Sequence, residues 1–273
     1  MKLSHRLLSV FACLFFLAGA SAADPYAPLI GIQTWTLRNM TFEEVVDFAT
    51  AHRIKYLEMI SKHIDPGAPA AENKHKKDIL DQKGLVCYSF GVNKTTASKE
   101  ENRRLFEFAK MMGIRVIVVE PPNMVEWDNL EQLVKEYDIK LAVHNHGITT
   151  PYGKPSTVKE LLATRDPRIG VCLDIGHVTG AGFDAAQVFS EYGAARVFDL
   201  HLKDKMVKRV DGDQKIEDVK IGTGQTNIKG ILQALKATRW PGVMAIETDN
   251  ADFAQKPDDY VDSAIKYVRD NQP

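Results

Sequence analysis

His144 and His146 end an apolar run, Leu141–Val143, with a single residue between them. On an extended strand, residues i and i+2 share a face, so both imidazoles would point the same way. Three later apolar runs end in comparable fashion. "CLDIGH" supplies Asp174 and His177, "DLHLKD" places Asp199, His201 and Lys203 on one strand face, and "AIETD" supplies Glu247. Each group follows a hydrophobic strand body, where unpaired charge is costly to bury. The groups must therefore satisfy one another or hold an ion. Imidazole mixed with carboxylate suits a borderline divalent metal such as Mn, Co, Ni, Fe or Zn better than Ca or Mg. Singly, each residue has a plainer explanation, as a hydrogen-bonded core His or an Asp capping the next helix. Shared chemistry at four strand ends makes coincidence the weaker account.

The elements that must position these groups are legible as a repeat. Eight strand candidates, "LIGIQTWTL", "KYLEMIS", "LVCYSFGVN", "RVIVVEPP", "KLAVHNHG", "IGVCLDIGH", "RVFDLHLKD" and "GVMAIETD", alternate with amphipathic segments such as "TFEEVVDFATAHR" and "EENRRLFEFAKMMG". The latter carry the i, i+3, i+4 spacing of helices with one buried face. Thr41 and Asp184 suit N-caps, and Gly84 and Gly113 sit where helices should stop. Eight βα units in this length predict a single closed (β/α)8 barrel. A doubly wound open sheet is the alternative, but it would gather its chemistry at one switch point. Here Gln33, Glu58 and Glu120 join the later residues at strand ends, which favours one site at the C-terminal mouth. The stretch Lys205–Gly224 reads as an irregular loop over that mouth.

The 273 residues open with a basic start, Lys2 and Arg6, an apolar run and a small-residue site at Ala20–Ala22. That is the pattern of a cleaved signal peptide over residues 1–22, with the barrel over 23–273. Export to the periplasm and no membrane attachment after cleavage are the expectations. A net charge of -1 gives no electrostatic case for nucleic acid. Cys87 and Cys172 lie in apolar runs and read as buried small hydrophobes, although an exported chain would permit a disulfide.

The chain resembles the xylose-isomerase-like TIM-barrel superfamily, which holds sugar isomerases and epimerases, inosose dehydratases and endonuclease IV-type enzymes. "HNHG", "DPRIGVCLDIGH", "HLKD" and the terminal "IE" carry the resemblance. It implies one divalent metal held by strands five to eight, with Asp174, His201 and Glu247 at three of the ligand positions. The fifth strand departs from the family pattern, placing His144 where a Glu is usual and His146 just beyond. The fourth ligand is then one of these two, with Glu120 as an outside choice. The departure leaves Glu247 as the clearest acid/base group. His177 resembles the family His that contacts substrate oxygens. Lys203 is a further catalytic candidate, since burial near a metal can lower a lysine pKa. Its plainer role is a salt bridge to Asp199 or Asp204.

Gln33 and Trp35 could line a sugar, or Trp35 could plug the barrel. Glu58 could bind a hydroxyl or pair with a lysine. "GTG" at Gly222–Gly224 could approach a ligand or simply make a turn. The chemistry implied is proton removal α to a keto-sugar carbonyl through a metal-stabilised enediolate. Export and the absence of an Arg cluster at the strand ends disfavour sugar phosphates. They point to a neutral keto-sugar or glycoside, and so to a 3-keto-glycoside lyase or a 2-hydroxy-3-keto-glycal hydratase. A sugar isomerase or epimerase on a free ketose is the alternative. An endonuclease IV-like enzyme and a non-catalytic sugar-binding module stand further off. Barrels of this kind often form homodimers.

Overall fold

The computed structural model describes residues 26–211 and 213–272. The expected signal at residues 1–22 lies outside the described residues. Strands β1 (Leu29–Gln33), β2 (Tyr56–Met59), β3 (Val86–Asn93), β4 (Val116–Val119), β5 (Lys140–His144), β6 (Ile169–Asp174), β7 (Val197–Leu202) and β10 (Val243–Ile246) close into a parallel barrel in that cyclic order. Each corresponds to one of the eight apolar runs of the sequence. Helices on the outside alternate with them, giving a (β/α)8 barrel.

The helix ends follow local chemistry. Thr41 and Glu44 form a reciprocal capping box at the start of the helix Phe42–Ala51. Asp184 caps the helix Ala185–Tyr192 by accepting from the Gln187 amide at 2.8 Å. Gly113 ends the helix Lys99–Met112 at φ 75°, a left-handed conformation that glycine adopts without steric cost.

Strand alternation divides the apolar residues into two sets. Ile117, Val119, Leu141, Val143, Val171 and Leu173 belong to the large core between sheet and helices. Val116, Val118, Ala142, Cys172 and Phe198 form a small separate cluster. Ala142 and Cys172 each precede a donor by two residues, His144 and Asp174, so the same strand faces carry apolar groups low down and polar groups at the mouth. Space for Phe198 comes from Gly170, whose added Cβ would lie 2.5 Å from the Phe198 ring.

One expectation fails. Lys205–Gly224 is mostly an antiparallel hairpin, with β8 (Asp204–Val210) paired to β9 (Asp213–Val219) from Asp204 opposite Val219 to Val210 opposite Asp213. Its largely charged sequence hides the strand pattern, and the Asp211-Gly212 dipeptide is the turn signal that went unread. Gly222–Gly224 serves as a turn, donating the Gly222 and Gly224 amides to the Asp204 carboxylate at 2.9 and 2.8 Å. Among the described residues, no helix is long and apolar enough to cross a membrane.

Candidate active site and metal centre

Parallel pairing brings the strand ends together. Register sets His144 opposite Cys172 and Asp174 opposite His201, while Glu247 follows β10 directly. His144, Asp174, His201 and Glu247 are all buried. His201 Nδ1 lies 3.7 Å from Asp174 Oδ2 and 3.5 Å from Glu247 Oε2, and His144 Nε2 lies 3.8 Å from the same Asp174 oxygen. None of these four atoms has a well-aligned hydrogen bond. Ligands at 2.0–2.2 Å from a tetrahedral ion stand roughly 3.3–3.6 Å apart. The Asp174, His201 and Glu247 atoms therefore fit a single divalent cation, with His144 beside Asp174 as a further candidate donor. Asp174, His201 and Glu247 form one compact donor group in their own right.

Asp174 shows that the cap and ligand readings are compatible. Its Oδ1 accepts from the His177 amide at 2.7 Å and starts the short helix Ile175–Gly180, while Oδ2 faces the donor group. His144 and His146 both reach the mouth, with ring centroids 4.4 Å apart. Their surroundings differ. His144 is buried, and burial drives its imidazole down to about 4, leaving it neutral as a metal ligand must be. His146 is partly exposed and bonds through Nδ1 to Glu120. Glu120 is thereby tied to His146, so His144 is the better-placed fifth-strand donor.

Glu58 does not pair with a lysine. It is fully buried and holds His201 Nε2 at 2.7 Å from across the barrel. That bond makes Nε2 the protonated nitrogen and turns Nδ1 towards Asp174 and Glu247. Cys172, also 3.2 Å from His201 Nε2, is free, and burial pushes its thiol up, so it stays uncharged. Below it, burial and the neighbouring Glu58 push the Asp199 carboxyl well up, and Tyr88 donates to it at 2.7 Å. Asp199 thus belongs to the barrel floor. Another donor group, Glu58, Cys172, Asp199 and His201, lies there, but its contacts are largely taken up internally.

Lys203 departs most from expectation. Its ammonium meets Glu247 at 2.6 Å, Asp249 at 2.8 Å and Asp174 at 3.1 Å, rather than Asp199 or Asp204. Burial works against the charge, but Asp174, Glu247 and Asp249 outweigh it and hold the group well above the usual lysine range. A lowered lysine pKa is therefore corrected: three carboxylates fix a cation. Gly176 makes the path for its stem, since a Cβ there would come within 2.7 Å of Lys203 Cγ. Lys203 Nζ also lies 3.3 Å from His177 Nε2, and burial together with Lys203 keeps His177 neutral. Asp249, two residues beyond Glu247, was missed in the sequence, although the i+2 spacing was there to be read.

A cavity of about 290 Å³ opens over these groups. His144, His146, His201, Lys203, Glu247 and Asp249 line its polar end, and Gln33, Trp35, Gly91 and Val92 line another part. Trp35 is 43% exposed at the rim and does not plug the barrel. The Gln33 side chain accepts from the Trp35 amide at 2.8 Å and donates to the Gly91 carbonyl at 3.0 Å.

These features define a class. The family described as "Xylose isomerase-like TIM barrel" matches residues 46–271, and the chain belongs to that family. It is 25% identical to an inosose dehydratase of Lacticaseibacillus casei, over 85% of this chain and 90% of that one. It is 26% identical to an inosose dehydratase of Clostridium perfringens, over 72% and 83%. A crystal structure from Parabacteroides distasonis superposes with a TM-score of 0.68 at 26% identity, covering 88% of this chain and 98% of that one. The protein is a metal-binding TIM-barrel enzyme related to the inosose dehydratases.

Proposed function

We propose that the protein is an exported, divalent-metal-dependent enzyme that removes a proton α to the carbonyl of a neutral keto-sugar. Its substrate is a 3-keto-glycoside, cleaved by elimination, or the 2-hydroxy-3-keto-glycal that elimination yields, to which it adds water. The observation that carries this reading is the donor group Asp174, His201 and Glu247, with His144 beside Asp174, next to a small pocket that His144, His201 and Glu247 line. The described pocket lining contains no arginine for a phosphate. The name of the dehydratase relatives states elimination, which agrees with proton loss beside a ketone.

A divalent cation held by these donors would polarise a ketone and a neighbouring hydroxyl, acidifying the carbon-bound proton next to the ketone. Glu247 takes that proton from C2. The C2–H electron pair forms the C1–C2 double bond as the C1–oxygen bond breaks. His146 lines the same pocket and is favoured in its protonated form by Glu120, so it donates a proton to the departing oxygen. Lys203 remains an ammonium and offsets developing negative charge. Hydration runs the same steps in reverse.

The alternative is an isomerase or epimerase on a free ketose. It draws on the presence of two proton carriers, Glu247 and His146, in one pocket. Metal-loaded protein incubated with 3-keto-glucosides and with ordinary ketoses in deuterated water separates the readings by proton NMR. Loss of the C1 substituent, or water addition to the glycal, supports the proposal. Deuterium exchange with a ketose alone replaces it by the alternative. No exchange with either class defeats both. Export is tested by mass spectrometry of the native protein, where an intact Met1 end would remove that part of the reading.

A further inference from the structure

We propose that Trp35 and Val92 form a subsite for the second ring of a glycoside, outside the ring that reaches the polar end of the pocket. This rests on reading the pocket as a sugar site. Both side chains line that pocket and both are exposed, at 43% and 37%. The other two tryptophans, Trp127 and Trp240, are buried and donate their indole N–H groups to Tyr152 and to the Val197 carbonyl. Trp35 alone among them presents its ring to an incoming molecule.

Its presentation is prepared by neighbouring groups. Gln33 holds the Trp35 amide, and the Arg38 guanidinium sits 4.9 Å from the indole centroid. Arg38 is itself fixed by the carbonyls of Trp35, Thr248, Asp249 and Asn250 at 2.9 to 3.2 Å. With its donors committed to main-chain oxygens, Arg38 acts as a rigid support for the indole and not as a phosphate clamp. A rigid aromatic platform binds the apolar face of a ring with little loss of side-chain entropy. His144, His201 and Glu247 are buried while Trp35 and Val92 stand exposed at the rim, so a ring stacked on Trp35 lies outward of the ring that reaches the donor group. The ligand class is therefore a disaccharide or aryl glycoside rather than a free monosaccharide.

The test is binding without turnover. A β-linked glucose disaccharide, phenyl glucoside and methyl glucoside, none carrying the ketone, are titrated into manganese-loaded protein by calorimetry and by tryptophan fluorescence. The disaccharide and phenyl glucoside are expected to bind roughly tenfold more tightly than methyl glucoside and to shift the emission. In Trp35→Ala, checked for fold by circular dichroism, the advantage over methyl glucoside disappears; Trp35→Phe retains most of it. Equal affinities in the wild-type protein, or a preference that survives in folded Trp35→Ala, overturn the subsite. Failure of the reaction is read separately from exchange in deuterated water. Exchange without a two-ring preference removes the subsite and leaves the reaction, whereas preference without exchange does the reverse.

Discussion

Lys203 and Glu247 meet at 2.6 Å, through the same Glu247 oxygen that faces the candidate metal position. A tethered cation and a divalent ion thus compete for one carboxylate. Charges about 4 Å apart interact by about 4 kcal/mol at an effective dielectric of 20, so removing the ammonium should strengthen metal binding. Lys203→Met is expected to lower the metal Kd by about tenfold or more, read by calorimetry. Without metal, the same variant should melt lower, because Asp174, Glu247 and Asp249 lose their common partner. Unchanged affinity would mean that the lysine moves aside at no cost.

Glu247 carries the proton in the proposed reaction and is also a donor. Glu247→Gln keeps an amide oxygen for the ion but cannot accept a proton at neutral pH. Turnover should fall by about 10²–10⁴, with metal content largely retained. Rate assays paired with elemental analysis decide this. Near-normal turnover in the Gln variant, with His146→Asn inactive, would make Glu247 a ligand only.

Glu58 acts through His201. Its contact at 2.7 Å selects the tautomer whose Nδ1 faces the donors. Loss of such a partner typically costs about 10–100-fold in metal affinity, and Glu58→Ala should show that loss. His201 adds a pH dependence. Burial would lower its pKa, but the Glu58 and Asp174 carboxylates outweigh burial and raise it. A cation at Nδ1 must displace a proton, so affinity should fall as pH is lowered and metal uptake should release protons. Calorimetry in buffers of different ionisation enthalpy measures that release.

The barrel was legible because strand and helix periods alternate eight times, and the donors because each ends an apolar run. Their pairings were not legible. Glu58 and His201 are 143 positions apart and meet only once the barrel closes. The sequence alone leaves Lys203 free to lose its proton, whereas in the fold Asp249, from the end of the next barrel strand, and Asp174, from the end of the preceding one, surround it. The β8–β9 hairpin was missed because its faces are charged and do not alternate with apolar residues, so the usual period-2 signal is absent.

His146 and Glu120 give the last prediction. Burial alone would lower the His146 pKa, but the hydrogen bond and charge of Glu120 outweigh it and raise it above 6.5. Burial likewise opposes the Glu120 charge, and His146 outweighs it, lowering that pKa below 4.5. A raised folded-state His pKa contributes stability fully below about 6.5 and loses it as pH rises through the folded value. A lowered Glu pKa contributes above about 4.5 and loses it as pH falls through the folded value. The pair is therefore most favourable between those limits. Because the His146 side chain is 40% exposed, solvent screens the contact and the effect on stability should be small. The titration itself is the sharper observable. In Glu120→Gln only burial and the remaining neighbours act, so the NMR midpoint of His146 should drop below its wild-type value. The pH limit above which the proposed proton donor is lost should move down with it. A midpoint that stays in place would separate His146 from Glu120 and leave the departing oxygen to find its proton elsewhere.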